Sequence, residues 1–286
     1  MAVFPAVCMI QNNRRNYMSI FQELYNACKA FYESKKVILD LSINDFKYQF
    51  LGSYLGIFWA VLRPLIFVAV IWFIFSAGFK KTQIENETPF ILYLLTGYIP
   101  WIFFSDAVSG GMNSILNNRF LVKRVNFKIG ILPIVKIVSA LYLHGIFILI
   151  MIGVLLLYGY YPTLYWIQLP FYILCLSILL SGLGWLTSSL RVFTKDISEL
   201  VGVILQIGFW VSPIFWSLSA IPEKYVWILK LNPMVYIIEG YRNTFINKVW
   251  FWENNGLALY FLTSVVILTL GIVVFKRLRP HFSDVL

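Results

Sequence analysis

Six apolar runs divide this sequence, with short polar or basic stretches between them. They lie at Leu55–Phe75, Phe90–Leu116, Ile129–Leu157, Ile167–Leu190, Ile197–Leu218 and Leu257–Phe275. Each is close to or above the roughly 20 residues that carry a helix across a bilayer. Ahead of them, Lys35 to Leu51 predicts a helix with two apolar stripes instead of one. Val37, Leu41, Tyr48 and Leu51 form the first, and Leu39, Ile43, Phe46 and Phe50 the second; Lys36, Asp40, Asn44, Asp45, Lys47 and Gln49 fill the strips between. That pattern suits a helix at the membrane interface, with lipid on one flank and protein on the other. After the fifth run, two short apolar pieces are split by Asn232-Pro233. Pro233 has no amide donor and disfavours helix in the residue before it, so two half-helices re-entering the outer leaflet are expected. The fold class is therefore all-α: a polytopic membrane protein with six spans, an N-terminal interfacial helix and two short re-entrant helices. A single transmembrane domain over residues 34–286 follows an extension, 1–33, read as a candidate for disorder.

Composition agrees. Of the 286 residues 60% are hydrophobic and only 13% charged, against about a quarter charged in soluble domains. The 23 basic residues outnumber the 13 acidic ones, which in a membrane protein reflects cytoplasmic loops rather than nucleic acid. With the N-terminus inside, fifteen of the 23 fall in inner segments, including Arg119, Lys123, Arg124, Lys128, Arg191, Lys195, Lys276, Arg277 and Arg279. Both termini are accordingly expected in the cytoplasm. Ala2 to Ile10 is apolar but precedes Arg14 and Arg15, the reverse of a signal peptide, and Met18 is an alternative start. Cys8, Cys28 and Cys175 are too scattered for a disulfide framework or metal site.

Motifs for chemistry are missing from the sequence. There is no G-x-x-x-x-G-K-[ST] loop, nucleophile elbow, H-E-x-x-H or Cys/His cluster. An ATP-driven process would need a separate subunit to bind ATP and Mg, so no cofactor is assigned to this chain. The intramembrane acid is Asp106, near Ser105, Ser109 and Asn113; it faces either a hydrated path or a neighbouring helix. Arg63 and Lys136 lie near span ends and are expected to snorkel to the headgroups. His144 reads as a packed core residue. Aromatic strips are the stronger signal: Tyr98, Trp101 and Phe104 at steps of three in span two, and Phe209, Trp210 and Trp216 in or after span five. Interfacial belts, core packing and the lining of a path for sugar rings all remain open for them.

The sequence resembles the ABC type-2 export permeases of the polysaccharide and polyol-phosphate family. The likeness begins at Phe46, Lys47, Tyr48 and Phe50, continues through Leu55, Gly56, Trp59 and Pro64, and reappears in N-x-x-L-V-x-x-V-x-F at Asn118, Leu121, Val122, Val125 and Phe127. It recurs at Phe193 and Asp196, in the P-E…L-N-P…I-E-x-Y-R pattern from Pro222 to Arg242, and in the C-terminal tail. The resemblance implies the transmembrane subunit of an ATP-driven exporter of a lipid-linked cell-surface polymer, such as O-antigen, teichoic acid or a capsular glycan. It implies a homodimer, two copies of a cytoplasmic ABC ATPase, and a bacterial plasma membrane. Asn118, Leu121, Val122, Arg124, Val125 and Phe127 become candidates for ATPase docking. Asn232, Pro233, Glu239 and Arg242 become candidates for an extracytoplasmic gate, though Glu239 and Arg242, three apart, could equally pair to hold the fold. Asp196 is expected to cap span five. The rival classes are an ATP-independent channel or ion-coupled transporter, which would need more intramembrane ionisable groups, and an integral-membrane transferase, which would need clustered acids or histidines.

Overall fold

A computed structural model describes residues 33–50, 56–75, 88–123, 127–254 and 256–286. The extension 1–33 therefore lies almost wholly outside the described residues, as do Leu51, Leu55, Arg124 and Val125. Among the described residues the chain is all helical. In order the helices are α1 (Lys35–Phe50), α2 (Phe58–Phe73), α3 (Phe90–Asn117), α4 (Arg119–Val122), α5 (Leu132–Leu157), α6 (Leu169–Arg191), α7 (Asp196–Val211), α8 (Glu223–Lys230), α9 (Pro233–Arg242), α10 (Leu257–Leu278) and α11 (Phe282–Val285). Among the described residues four segments are long and apolar enough to cross a membrane: Phe90–Asn117, Ile129–Leu157, Leu164–Arg191 and Leu257–His281. The chain is a multi-pass integral membrane protein.

Of the two remaining expected spans, the first stays helical through Ile74 and Phe75 to the edge of the described residues, and the second is shorter than the hydropathy suggests. α2 has 16 residues, and so has α7. α7 stops at Val211, seven residues before the expected end at Leu218, because Pro213 disfavours helix at Ser212, which is extended. Asp196 does not cap it. Lys195 holds the cap position, while the Asp196 amide donates to Thr194 Oγ1 at 3.3 Å. Asp196 and Glu199 sit instead in the first turn, where carboxylates favour the helix dipole.

α3 is the central helix, buried around most of its circumference by α5, α6 and α9. A second apolar cluster closes one end of the bundle and joins Ile115 of α3, Leu121 and Val122 of α4, Ile129, Val192, Phe275 and Phe282. The end of α3, the start of α5, the end of α6 and the C-terminal tail therefore share one end of the molecule. α6 and α10 meet through Gly182 and Gly271 so closely that a Cβ on Gly271 would fall on the Gly182 carbonyl. Such small-residue approaches supply packing where lipid offers no hydrophobic drive between helices.

α1 differs from expectation. It packs on α5, yet the buried side is Ser34, Ile38 and Ser42, flanked by half-buried Leu41, Asp45 and Phe46. Val37, Leu39, Ile43 and Tyr48, drawn from both expected stripes, are exposed. Small hydroxyls lie against α5 because they permit close approach; Ser42 Oγ satisfies itself on the Ile38 carbonyl at 2.5 Å. Lys47 is exposed and Phe46 rests on Tyr142, ring centroids 5.5 Å apart. The side chain of Phe50 lies outside the described set.

Replacing Gly271 with Leu should drive α6 and α10 apart, an overpacking that costs typically ~1–3 kcal/mol. Thermal unfolding in detergent is expected to show a clearly lowered midpoint, whereas Gly153→Leu, where open space surrounds the position, should leave it unchanged.

Candidate functional site

Where α2, α3, α5 and α7 meet, they line a half-open cavity of about 830 Å³. Its aromatic walls come from three helices: Trp59 and Phe67 of α2, Tyr98 and Trp101 of α3, and Phe209 of α7. All of these rings but Trp59 form one cluster. Phe67 and Tyr98 have centroids 4.9 Å apart, and Phe209 lies 5.9 Å from Phe67, 6.1 Å from Tyr98 and 5.9 Å from Trp101. Gly208 allows this convergence, since a Cβ there would stand 3.0 Å from the Trp101 indole.

Further along α3 the lining becomes polar: Ser105, Asp106, Ser109 and Gly110, joined by Gln49, Arg63, Lys136 and Ser139. The Asp106 carboxylate opens onto the cavity, so of its two expected surroundings the structure has the open one. Arg63 stands over the Trp59 ring, 5.8 Å from the centroid. Lys136 does not snorkel. It forms an ion pair with Asp45 of α1, in which its side chain is 12% exposed and that of Asp45 19%. Gln49 Nε2 donates to Asp45 Oδ2 at 3.1 Å and to Ser139 Oγ at 3.4 Å. Two opposite charges, each costly alone near apolar surroundings, are thus spent on attaching α1 to α5. His144 is core, 2% exposed, stacked on Phe103 and hydrogen-bonded to the Tyr241 hydroxyl at 2.8 Å.

The structure divides the expected aromatic strip. Tyr98, Trp101 and Phe209 line the cavity, whereas Phe104 packs beside Trp101 at 5.4 Å without reaching it. Trp210 is 62% exposed and turned away. Trp216 lies beyond the helix end, its indole donating to the Trp210 carbonyl at 3.4 Å. Phe67 was missed by reasoning from triplet spacing within span two, because its partners are on other helices. The Asp45–Lys136 pair had a legible signal: one unpaired cation inside an apolar run and a carboxylate in the helix beside it.

A second polar centre sits where α7 breaks. Arg242 is 1% exposed. Its Nη1 meets Glu239 Oε1 at 2.7 Å, and its Nη2 donates to the carbonyls of Pro213 and of Ile214, the latter at 3.2 Å. The guanidinium lies 3.5 Å over the Tyr93 ring, while the Tyr93 hydroxyl donates to the Trp216 carbonyl at 3.1 Å. Asn232 joins them: Oδ1 accepts the Met234 amide at 3.0 Å, capping α9, and Nδ2 donates to Ser212 Oγ at 3.0 Å. Pro233 opens α9 at its first turn, where a missing N–H costs nothing. Of the two readings of Glu239 and Arg242, this geometry is that of a fold-holding pair.

In the segment between α3 and α5, Leu121 and Val122 are buried, and Phe127 is half-buried against the same cluster. The Asn118 amide donates to the Ser114 carbonyl at 2.8 Å. Among the described residues of this segment Arg119, Phe120, Lys123 and Lys128 are exposed, Phe120 at 62%. Lys128 pairs with Glu33 at 3.0 Å, fastening the start of α1 to this segment.

A multi-pass helical bundle around a large cavity, aromatic in one half and polar in the other, defines a membrane transport subunit. The comparisons make that specific: the ABC-2 type transporter family matches residues 41–246, and the chain belongs to it. It is thereby a permease that works with an ABC ATPase rather than an enzyme itself. The chain is 27% identical over 255 residues to an O-antigen export system permease protein, RfbA, of Klebsiella pneumoniae, covering 87% of this chain and 95% of that protein. It is 25% identical over 258 residues to RfbA of Myxococcus xanthus, covering 90% and 97%. It is also 25% identical over 250 residues to the polysialic acid transport protein KpsM of Escherichia coli, covering 85% and 93%.

Replacing Arg242 with Leu leaves Glu239 and two carbonyls without their donor, and breaking such a buried pair typically costs about 3–5 kcal/mol. Membrane yield and detergent stability should fall sharply. Lys136→Met should likewise destabilise, and the double variant Asp45→Asn with Lys136→Met should recover most of the loss; thermal unfolding of the purified variants measures both.

Proposed function

We propose that this chain is the transmembrane subunit of an ATP-driven exporter of a lipid-linked surface glycan, working as a homodimer in a bacterial plasma membrane. The observation that carries this is the cavity, in which Trp59, Phe67, Tyr98, Trp101 and Phe209 gather beside Ser105, Asp106 and Ser109. Sugars have both kinds of surface. Their CH faces rest on aromatic rings, and their hydroxyls bond to polar side chains. The relatives named for O-antigen and polysialic acid support that substrate class.

In this reading α2, α3, α5, α6, α7 and α10 make six crossings. α2 and α7, at 16 residues each, cover roughly 24 Å at 1.5 Å per residue, and the tethered turn after Val211 extends α7 outward. α8 and α9 form the re-entrant pair at the outer mouth. Both ends are cytoplasmic, as the distribution of Lys and Arg supports. The ATPase subunits, two per complex, bind ATP and Mg. They engage the segment between α3 and α5 through Phe120, Arg119 and Lys123, while Leu121, Val122 and Phe127 transmit their motion to the bundle by being packed in it. Asp106 keeps the inner half of the path hydrated.

Two measurements test the reading. In a cysteine-free background, a cysteine at Lys224 should react with an impermeant thiol reagent added outside, and one at Lys123 should not; the reverse pattern would sink the orientation. Phe209→Ala should reduce export on the order of five-fold, the low end of ~1–3 kcal/mol per ring contact by analogy with base stacking, with basal ATP hydrolysis and complex assembly retained. Loss of assembly along with export would make the ring a packing element.

A further inference from the structure

α7 carries a polar strip that the cavity alone does not account for. Among its exposed residues, Glu199, Gly202 and Gln206 recur at three- and four-residue steps. At about 100° per residue they lie roughly 20–80° around the helix from Phe209, the ring that faces the cavity. Leu200, Ile204 and Ile207, all exposed and apolar, lie roughly 140–180° from Phe209 on the same scale. The polar strip therefore borders the cavity side, and the far side is the lipid face. A Cβ on Gly202 would meet nothing. Gln206 is exposed and its amide bonds to no group among the described residues.

Depth sharpens the point. Gln206 is ten residues into α7, roughly 15 Å along the axis, which is about half of a 30 Å hydrocarbon core. A carboxamide there cannot be satisfied by lipid. α3 has the matching arrangement. Val192, just before α7, packs with Ile115 near the end of α3, so the start of α7 and the end of α3 lie at the same end of the bundle. From that end outward α3 presents Ser109, Asp106 and Ser105, then Trp101 and Tyr98; α7 presents Glu199, Gly202 and Gln206, then Phe209. Both helices pass from polar to aromatic in the same direction.

We infer that Glu199, Gly202 and Gln206 continue the polar wall of the conduit, with Gln206 hydrogen-bonding the hydroxyls of the passing glycan at mid-membrane. This rests on the export reading above and adds the hydrogen-bonding half of the path. The carboxamide suits a moving polymer because it both donates and accepts, and so bonds to each successive hydroxyl without needing its orientation preset. Gly202 leaves room for a ring one turn below. Glu199 and Asp106 bring carboxylates to the inner mouth, where Arg63 and Lys136 also line the cavity.

The test uses the whole transporter with its ATPase in membrane vesicles, the three native cysteines replaced by serine. Single cysteines at 199, 202 and 206 should be modified by an impermeant methanethiosulfonate during turnover, at least several-fold faster than cysteines at 200, 204 and 207. Gln206→Leu should lower export several-fold while Gln206→Asn retains most of it, basal ATP hydrolysis being unchanged in both. A disulfide forming between two copies at 206 would make the residue a subunit contact and overturn the proposal. So would equal reactivity at all six positions, or none at 199, 202 and 206. If the accessibility pattern appears but native vesicles export no glycan, the wall stands and the substrate reading falls. If glycan is exported without the pattern, only this inference falls.

Discussion

A bilayer offers a polar atom nothing to bond to, and this chain is built around that constraint. Where the helix α7 breaks at Ser212, two carbonyls lose their helical donors. The chain satisfies them with a guanidinium from 29 residues further on, Arg242, whose charge is balanced by Glu239 and whose face is covered by Tyr93. Remove that donor and the turn after α7 has no reason to remain where it is. α9 then loses its register against α3, since Gly97 lies so near Arg242 and Ile214 that even a methyl there would stand 3.1 Å from both. The same rule explains the pairing of Asp45 with Lys136 and of His144 with Tyr241.

The cavity is the exception, and it is where the rule is relaxed for a purpose. Asp106 has no hydrogen-bond or ion-pair partner among the described residues and opens onto space, which is tolerable only if that space holds water or a polar ligand. The ion pair at its edge also has a mechanical sense. Lys136 lines both this cavity and a second one of about 620 Å³ that runs between α1 and the α3–α5 segment. Gln49 of α1 also lines both, so a displacement of α1 would be felt at the inner mouth through these two side chains.

How much was legible follows from which physics was local. The long apolar helices, the split at Asn232-Pro233 and the burial of His144 were readable because hydropathy and proline act within a few residues. The end of α7 is not legible in hydropathy despite Pro213, since apolar residues continue past it and hydropathy does not register the missing donor. α1 was misread for a different reason. Its stripes were sorted by apolarity, but a helix against another helix in this setting prefers small side chains at the contact, and Ser34 and Ser42 took that place. In the site, spacing within one helix found Tyr98 and Trp101 but also Phe104, which faces elsewhere. Phe67 and Phe209 belong to the same cluster only through tertiary packing. Of the loop's apolar residues, Leu121 and Val122 turn inward and leave Phe120 outside, a division that sequence spacing does not carry.

The glycine contact between α6 and α10 has a consequence for the order in which the protein is made. α10 emerges well after α6, and until Gly271 is synthesised the facing stripe of α6 around Gly182 has only lipid against it. Some 89 residues separate the two glycines, which at ~5–20 residues per second is a wait of roughly 4–18 s. During that interval the nascent chain holds an unfinished groove within the membrane. A ribosome that stalls before Gly271 would release a product recognisable by that groove to the proteases and chaperones that survey newly inserted helices.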